Sequence, residues 1–286
     1  MNHSGIHIKR NEYPGERWLF VKVYGSPTIC DRLVAEALCP KLNRMRKAGL
    51  ASRWFFVRFS DPGYHLRLRI ELNHPALQVD VLNSINKSLV PLCEERLLHK
   101  LSIDTYEREL ERYGSRHMDL TETLFCIDSE CISKILGVLC HRGIESERWK
   151  LAFAIADRMM DAFDLSVNEK RSLSGDMSRA YLREFGFNEH NIKIVAAQYR
   201  KLKVGIDLLL QPDNDLDGCR NIVNKYGIEL RQALAGASKS GINLKSLLHM
   251  SMNRLFATKN RLNEMMLHYS LERHYTTEII RHKMSK

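Results

Sequence analysis

Segment 65–70 alternates polar and apolar residues, and its polar members could bind an anion. Side chains of a strand alternate between its two faces, so Leu66, Leu68 and Ile70 are predicted to face a core. The residues predicted on the opposite face are His65, Arg67 and Arg69, with Arg58 of the preceding strand as a candidate addition. Guanidinium forks match carboxylate or phosphate groups, so this row predicts an anion site. The simpler alternative is a solvated strand face that carries scattered cations.

Residues 106–114 hold a second group of charged and aromatic side chains. In a helix, the neighbours at i, i+3 and i+4 spacing would be Tyr106, Glu109, Arg112 and Tyr113. Glu109 could then pair with Arg112 and orient its guanidinium. An exposed ion pair, which stabilises a helix by only about 0.3 to 0.5 kcal/mol, has the same spacing, so this segment alone decides no function.

His249 and Asn253 lie one turn apart in a third segment, which is predicted to be helical. The apolar stripe of this helix consists of Leu244, Leu248, Met252 and Leu255. An imidazole titrates near neutral pH and therefore suits general acid or base catalysis. A histidine at the edge of a core, with its hydrogen bonds satisfied, is the alternative.

Signatures of the common cofactor and metal sites are missing from the sequence. It contains no glycine-rich dinucleotide or Walker-type loop, no G-x-S-x-G elbow and no H-E-x-x-H motif. The acidic run 213–218 begins like an EF-hand loop, but Asn224 stands where calcium needs a bidentate glutamate. The seven cysteines are scattered and never spaced as C-x-x-C. We therefore expect neither a metal ion nor an organic cofactor.

The composition is that of a folded protein, with 44% hydrophobic residues, 27% charged residues and a formal net charge of +10. No apolar run approaches the roughly 18 residues that span a bilayer, so no membrane span is expected. The polar residues 1–5 lack the features of a secretory signal, which predicts a cytoplasmic location. The positive charge leaves nucleic acid, anionic peptide and acidic small molecules open as partners.

The spacing of apolar residues predicts an α+β protein, with an N-terminal antiparallel sheet with helices followed by a long, mostly helical part. Strands are predicted at 17–25, at 54–59 and 64–72 as a hairpin, and near 101–103. Helices are predicted at 31–48, from about 75 to 98, and over most of the chain after Thr105, with breaks at Gly114, Gly143, Gly186, Pro212 and Gly241. We expect one domain over 1–286, with a sheet-containing part (17–115) and a helical part (116–286).

In their order and residue types, these clusters resemble the C-terminal region of class I lanthipeptide dehydratases. This region is also found as separate proteins in thiopeptide-type bacteriocin pathways. The matching segments are 54–59 with Asp61 and Pro62, 65–69, Tyr106 with Glu109 and 112–114, 128–130, and His249 and Met250 with 253–255. The resemblance covers roughly residues 17–275.

This resemblance implies glutamate elimination. In such enzymes a glutamylation domain uses glutamyl-tRNA to esterify serine or threonine of a precursor peptide, and the C-terminal domain removes glutamate to leave dehydroalanine or dehydrobutyrine. Carried over by motif, the catalytic residues are Arg67, Arg69, Glu109, Arg112 and His249. The substrate-binding residues expected around them are Arg58, His65, Tyr106, Asn253 and Arg254.

A mechanism follows from the charges that this elimination creates. Removing the α-proton of the acylated residue makes its carbonyl enolate-like, and the departing glutamate takes charge onto its carboxylate. The three catalytic arginines would bind the glutamyl carboxylate and stabilise the leaving group, with Glu109 orienting Arg112. His249 would act as the base, or as an acid toward the leaving carboxylate, and Asn253 is a candidate donor to the enolate oxygen.

The resemblance also implies partners. Fused dehydratases carry a larger glutamylation region than 286 residues can hold, so we expect a separate glutamylation protein, transient binding of precursor peptide and no stable direct contact with nucleic acid. A homodimer stays open. Two other functions remain as alternatives: a pyridine-forming 4+2 cycloaddition between two dehydroalanines, as in thiopeptide relatives, and a non-catalytic basic module that binds peptide or tRNA.

Overall fold

The computed structural model describes residues 8–144, 147–210 and 219–284. The predicted break at Pro212 and the acidic run 213–218 lie outside the described residues. The described residues group into two compact units: the chain up to Gly143 with Ala233–Ala257, and Ile144–Gln232 with the chain from Thr258. The single domain over 1–286 stays a prediction, but residues 116–143 belong with the sheet and not with the helical part.

The described part of the first unit contains six strands: β1 (Asn11–Glu12), β2 (Trp18–Gly25), β3 (Ala51–Phe59), β4 (His65–Leu72), β5 (Leu98–Asp104) and β6 (Tyr106–Glu107). Strands β3, β4, β2 and β5 form one antiparallel sheet in this order, and β1 pairs with β6 in a two-stranded ribbon. The hairpin predicted from the sequence is β3 and β4, and the other two predicted strands are β2 and β5. The expected α+β class is confirmed.

The helices of the described chain are α1 (Pro27–Arg32), α2 (Cys39–Lys47), α3 (Gln78–Glu94), α4 (Leu110–Tyr113), α5 (Met118–Arg142), α6 (Arg148–Ala162), α7 (Val167–Glu184), α8 (Glu189–Leu210), α9 (Cys219–Leu234), α10 (Leu244–Leu255) and α11 (Asn260–Met284). A π-helical segment, Leu33–Leu38, joins α1 to α2, and the three together form the helix predicted at 31–48. The predicted glycine breaks at 114, 143, 186 and 241 have φ between 62° and 89°. No helix among the described residues is both long and apolar enough to cross a bilayer.

The register of the hairpin decides which side chains share a face of the sheet. Arg67 lies opposite Val57 and Arg69 opposite Phe55, so the arginine face of β4 continues into aromatic and apolar side chains of β3. Directly opposed residues point to the same side of an antiparallel pair. Arg58 is opposite Leu66 and therefore shares the other face. The expected addition of Arg58 to the arginine row is wrong for this reason.

The face of β4 that carries Leu66, Leu68 and Ile70 is fully buried, as the alternating pattern predicted. Helices α5 and α10 both contact β3, the edge strand of the sheet nearest to the arginine row. Ser129 links α5 to β3, because its hydroxyl accepts the N–H of Phe56 at 3.3 Å. The sheet and these two helices therefore form the frame that holds the candidate site.

The second unit is helical, and its most extensive contacts join α7 to α11. Helix α7 begins with a capping box, in which Ser166 accepts from the N–H of Glu169 while the Glu169 carboxylate accepts from the N–H of Ser166. Buried Lys170, one turn later, forms ion pairs with Asp157 at 2.7 Å and Asp161 at 2.6 Å. These charged side chains of α6 and α7 are thus paired with one another.

Candidate active site

Five of the side chains selected from the sequence line one cavity of about 180 Å³ in the first unit: Arg67, Arg69, Glu109, Arg112 and His249. Three more selected residues, Arg58, Tyr106 and Asn253, also border this cavity. Its apolar walls include Phe55, Phe59, Phe125 and Met250. Residues from β3, β4, α4 and α10 that are far apart in sequence therefore meet around one small space.

Arg67 projects from β4 with its guanidinium fixed on two sides. Its Nε donates to Nε2 of His65 at 3.2 Å, and its guanidinium carbon lies 3.4 Å from the centroid of the Phe59 ring. Burial lowers the pKa of Arg67, although a guanidinium remains charged at any physiological pH. No carboxylate among the described residues pairs with it, so its charge is available to an external anion.

Arg69 lies in an aromatic cage. Its guanidinium carbon is 4.6 Å from the ring centroid of Phe20, 5.4 Å from that of Phe55 and 4.7 Å from that of Tyr106. Its buried Nε has no hydrogen-bond partner among the described residues, and burial lowers its pKa. An unsatisfied buried N–H is costly, so an acceptor supplied by a ligand or a water molecule would be stabilised there.

Glu109 and Arg112 form an ion pair at 2.9 Å, as their spacing predicted, and both side chains are largely exposed. The helix predicted over this whole segment is wrong, because only Leu110–Tyr113 is helical and Tyr106 pairs with Glu12 in the β1–β6 ribbon. The pairing of two strands so far apart in sequence overrides the helical spacing.

Tyr106 presents its ring, not its hydroxyl, to the cavity. The hydroxyl donates to Oε1 of buried Glu122 at 2.9 Å, and burial together with the Glu122 charge raises the pKa of Tyr106 well above its ordinary value. We therefore expect Tyr106 to act on the site through the Arg69 guanidinium stacked on its ring.

His249 is half-buried on α10, and two asparagines fix that helix on either side of it. Asn243 caps the helix by accepting from the N–H of Ser246 at 3.0 Å, and it also donates to the carbonyl of Arg112 at 3.3 Å. Asn253 accepts from the N–H of Arg58 at 2.9 Å and donates to the carbonyl of the same residue at 3.1 Å. The Asn253 amide thus joins α10 to β3, and its role as a donor to the substrate stays a prediction.

Arg58 and Arg254 are buried, and both guanidiniums have partners within the protein, so direct substrate contacts by them stay a prediction. Arg58 forms an ion pair with Asp31 at 2.6 Å and donates to the Tyr64 hydroxyl at 2.7 Å. Arg254, which is 0% exposed, pairs with Asp128 at 2.9 Å and donates from Nε to the carbonyl of Phe56. Both guanidiniums tie helices to the strands behind the site.

His65 is only 1% exposed, and both of its ring nitrogens are engaged. Nδ1 lies 2.8 Å from the carbonyl oxygen of Gly63, and Nε2 receives the hydrogen bond from Arg67. Its ring stacks on that of Tyr24 with a centroid distance of 4.5 Å. The structure thus shows a contact of His65 with Arg67, and its contact with substrate stays a prediction.

A second cavity, of about 460 Å³, borders the arginine row and shares Arg67, Arg69, Glu109 and Arg112 with the first. It adds Lys22 and Asp104, which form an ion pair, and Arg108, which pairs with Glu12 at 3.0 Å and Glu122 at 2.7 Å. Sequence reasoning missed these residues and the aromatic side chains around the arginines, because their signal lies in strand pairing and not in spacing. The described residues contain no group of three or more His, Cys, Asp or Glu side chains placed to hold a metal ion.

Available guanidiniums beside a half-buried imidazole suit an enzyme that binds an anionic substrate and moves one of its protons. The chain belongs to the family described as lantibiotic biosynthesis dehydratase C-term, which matches residues 18–275. This confirms the resemblance found in the sequence.

Two curated relatives resemble the chain over most of its length. Subtilin biosynthesis protein SpaB of Bacillus subtilis is 26% identical over 274 residues, which cover 92% of this chain and 26% of SpaB. Nisin biosynthesis protein NisB of Lactococcus lactis subsp. lactis is 26% identical over 292 residues, which cover 94% of this chain and 26% of NisB. The chain thus spans about a quarter of the length of these relatives.

Solved structures share the fold. The tRNA-dependent lantibiotic dehydratase MibB from Microbispora sp. 107891 matches with a TM-score of 0.68 and 23% identity over 95% of this chain and 29% of that one. The pyridine synthase TbtD from thiomuracin biosynthesis matches with a TM-score of 0.62 and 15% identity over 92% of this chain and 99% of that one. At these identities the likeness establishes the fold alone.

Proposed function

We propose that this domain eliminates glutamate from glutamylated serine or threonine of a precursor peptide in lanthipeptide biosynthesis, leaving dehydroalanine or dehydrobutyrine. The observation that carries the proposal is the pair Arg67 and Arg69, which have no carboxylate partner among the described residues and line one cavity with His249. The glutamyl group of the substrate keeps one free carboxylate, and Cβ–O cleavage gives the departing glutamate a second one, so cations are needed where these groups bind.

The proposed elimination needs a base for the α-proton and cations for the departing carboxylate. A base removes the α-proton of the esterified residue, the electron pair forms the Cα–Cβ double bond, and the Cβ–O bond breaks to release glutamate as a carboxylate. Arg67, Arg69 and Arg112 stabilise the charge on the departing group, and Glu109 holds Arg112 by their ion pair. His249 accepts the α-proton or donates one to the leaving carboxylate.

The glutamyl ester comes from a glutamylation activity that uses glutamyl-tRNA, and we propose that a separate protein supplies it. The name of one relative supports the use of tRNA, because MibB is described as a tRNA-dependent lantibiotic dehydratase, and this chain covers 29% of it. The elimination domain would then meet glutamylated peptide and not the tRNA itself.

Pyridine formation is the second candidate, because TbtD is described as a pyridine synthase and 99% of its chain superimposes on this fold. The charges of the site favour elimination. A cycloaddition between two dehydroalanines releases no glutamate, whereas Arg67, Arg69 and Arg112 surround a space suited to a departing carboxylate.

Mass spectrometry of precursor peptide tests the proposal. The peptide is treated with the glutamylation protein alone and then with this domain added, and the glutamyl adduct should accumulate in the first case and disappear in the second with release of free glutamate. His249→Ala and Arg69→Ala should leave the adduct in place, while His99→Ala, which changes an exposed histidine of β5, should not. Elimination would be overturned if the adduct persisted with the wild-type domain, or if the domain released no glutamate and instead consumed two dehydroalanines of the peptide.

A further inference from the structure

His65 contacts Arg67 through the one imidazole nitrogen that can accept a hydrogen bond. The Gly63 carbonyl oxygen, 2.8 Å from Nδ1, can only accept, so Nδ1 carries the proton. Nε2 then holds a lone pair and accepts the Nε–H of Arg67 at 3.2 Å. This arrangement exists only while the imidazole is neutral.

The Phe59 ring restrains the same guanidinium from the other side. The Arg67 guanidinium carbon is 3.4 Å from the centroid of that ring, which is a stacking distance. With Nε bonded to His65 and the flat face on Phe59, the two terminal nitrogens are the donors that remain. No described residue accepts a hydrogen bond from either of them, and together they match the two oxygens of a carboxylate.

We infer that His65 is a positioning residue for Arg67: in its neutral form it accepts the Nε–H of Arg67 and thereby holds the terminal nitrogens ready for the carboxylate of the substrate. This inference rests on the proposed function. His65 is 1% exposed, so it acts on the substrate through Arg67 and not by contact.

Protonation of His65 would undo this arrangement. The protonated ring has no acceptor, and its charge would oppose that of Arg67 on the same strand. Of the charged groups around the ring, Lys22 of β2 and Arg67 disfavour protonation and Asp61 of the hairpin turn favours it, while Tyr24 stacks on the ring. Burial has the largest effect and lowers the pKa of His65 from its ordinary 6.5. Protonation of His65, and with it the loss of the hydrogen bond from Arg67, therefore occurs on the acid side of that value.

The test measures binding of propane-1,3-disulfonate, an anion whose own charge is constant across the pH range, by isothermal titration calorimetry. All proteins compared carry His249→Gln, which removes the histidine that lines the cavity. With His65 intact, affinity should fall about tenfold or more between about pH 7.5 and pH 5, because a hydrogen bond to a charged group is lost. His65→Gln, whose amide oxygen can replace Nε2 and does not titrate, should bind as tightly at about pH 7.5 and lose little in acid.

His65→Leu should bind about tenfold more weakly than the His249→Gln protein does near pH 7.5, and its affinity should change little with pH. His99→Gln, which changes a neighbouring exposed histidine, should show the same affinity and pH dependence as the His249→Gln protein. The inference fails if His65→Gln loses affinity in acid as steeply as the His249→Gln protein, or if His65→Leu binds like that protein near neutral pH. Should His65→Leu fail to fold by circular dichroism, the pH profile of His65→Gln alone decides. Because anion binding is measured without turnover, a domain that binds the disulfonate through Arg67 but releases no glutamate would overturn the proposed function and leave this inference standing.

Discussion

The side-chain amide of Asn253 forms both of its strand contacts with one residue: its oxygen accepts from the N–H of Arg58 at 2.9 Å, and its nitrogen donates to the Arg58 carbonyl at 3.1 Å. Arg58 is the last but one residue of β3, an edge strand whose outer backbone groups need partners. The same amide lies one helical turn after His249. The same pair of hydrogen bonds therefore satisfies the backbone at the strand edge and positions the helix that carries His249.

Asn253→Ala should weaken both stability and turnover. It leaves a backbone N–H and carbonyl without partners, which costs about 1 to 3 kcal/mol in the free energy of unfolding. The freed helix should also displace His249 and lower the rate of glutamate release by about tenfold to 100-fold. Urea unfolding and single-turnover release of glutamate measure the two effects. Asn263→Ala, which removes only a donor to the Thr258 carbonyl in the second unit, is the control and should leave turnover unchanged.

Phe59→Leu should weaken substrate binding without destabilising the protein. The Phe59 ring is 39% exposed, so its loss removes little buried surface, but its contact with the Arg67 guanidinium contributes about 0.5 to 2 kcal/mol. We expect a several-fold higher KM for glutamylated peptide, a nearly unchanged melting temperature, and recovery in Phe59→Trp. Phe185→Leu, which changes a similarly exposed ring of the second unit, serves as the control. An unchanged KM in Phe59→Leu would show that the stacking does not hold Arg67.

The hairpin shows what alternation in a sequence can and cannot predict. Alternation along β4 is local, so the apolar face of Leu66 and the outward direction of Arg67 and Arg69 follow from the sequence alone. Whether Arg58 joins them depends on the register between β3 and β4, which the turn between the strands sets. A shift of one residue would have brought Arg58 to the arginine face, and spacing within one strand carries no information about that shift.

Tyr106 shows a second limit of prediction from local residue spacing, which is that distant segments can change the secondary structure. Its spacing to Glu109 and Arg112 fits a helix, and the Glu109–Arg112 pair forms as expected. Tyr106 itself is in a strand because Glu12, almost a hundred residues earlier, pairs with it. The hydroxyl of Tyr106 then reaches Glu122, which no local pattern connects to it. Contacts between distant segments decide such positions, and the single sequence does not contain them.

Breaking the ion pair of Asp128 and Arg254 should destabilise the first unit strongly. Both side chains are at most 2% exposed, and Asp128 also accepts from the Ser251 hydroxyl at 2.7 Å. Asp128→Ala leaves a buried guanidinium without its carboxylate, which costs about 3 to 5 kcal/mol in the free energy of unfolding. Asp176→Ala removes a carboxylate from an exposed pair with Arg179 and should cost at most about 1 kcal/mol. Equal shifts of the two urea midpoints would contradict this difference.

Glu71 should make stability depend on acid pH. Burial alone would raise its pKa, but hydrogen bonds from Arg53 and Ser52 and the charge of Arg17 outweigh burial and lower the pKa below its ordinary 4.5. A group with a lowered folded pKa stabilises the protein above its unfolded pKa and loses that contribution as the pH falls through the folded value. The free energy of unfolding should therefore decline below about pH 4.5, and Glu71→Gln should decline less steeply over the same window. Parallel profiles for the two proteins would count against this role of Glu71.

Free glutamate, the product of the proposed reaction, should bind the arginine row and stabilise the protein. The buried Nε of Arg69 and the terminal nitrogens of Arg67 have no acceptor among the described residues, so a carboxylate can accept hydrogen bonds from both guanidiniums and offset their charge. A ligand at 100 times its dissociation constant adds about 2.7 kcal/mol to the free energy of unfolding, which a thermal melt detects easily. Sodium chloride at matched ionic strength corrects for screening, and pentanediamide, which has the same chain length without carboxylates, corrects for non-ionic contacts. Glutamate should raise the melting temperature of the wild type well beyond both, and should have no such effect on Arg67→Ala/Arg69→Ala. An equal rise in that double variant would place the carboxylate elsewhere and remove the main support for elimination at this site.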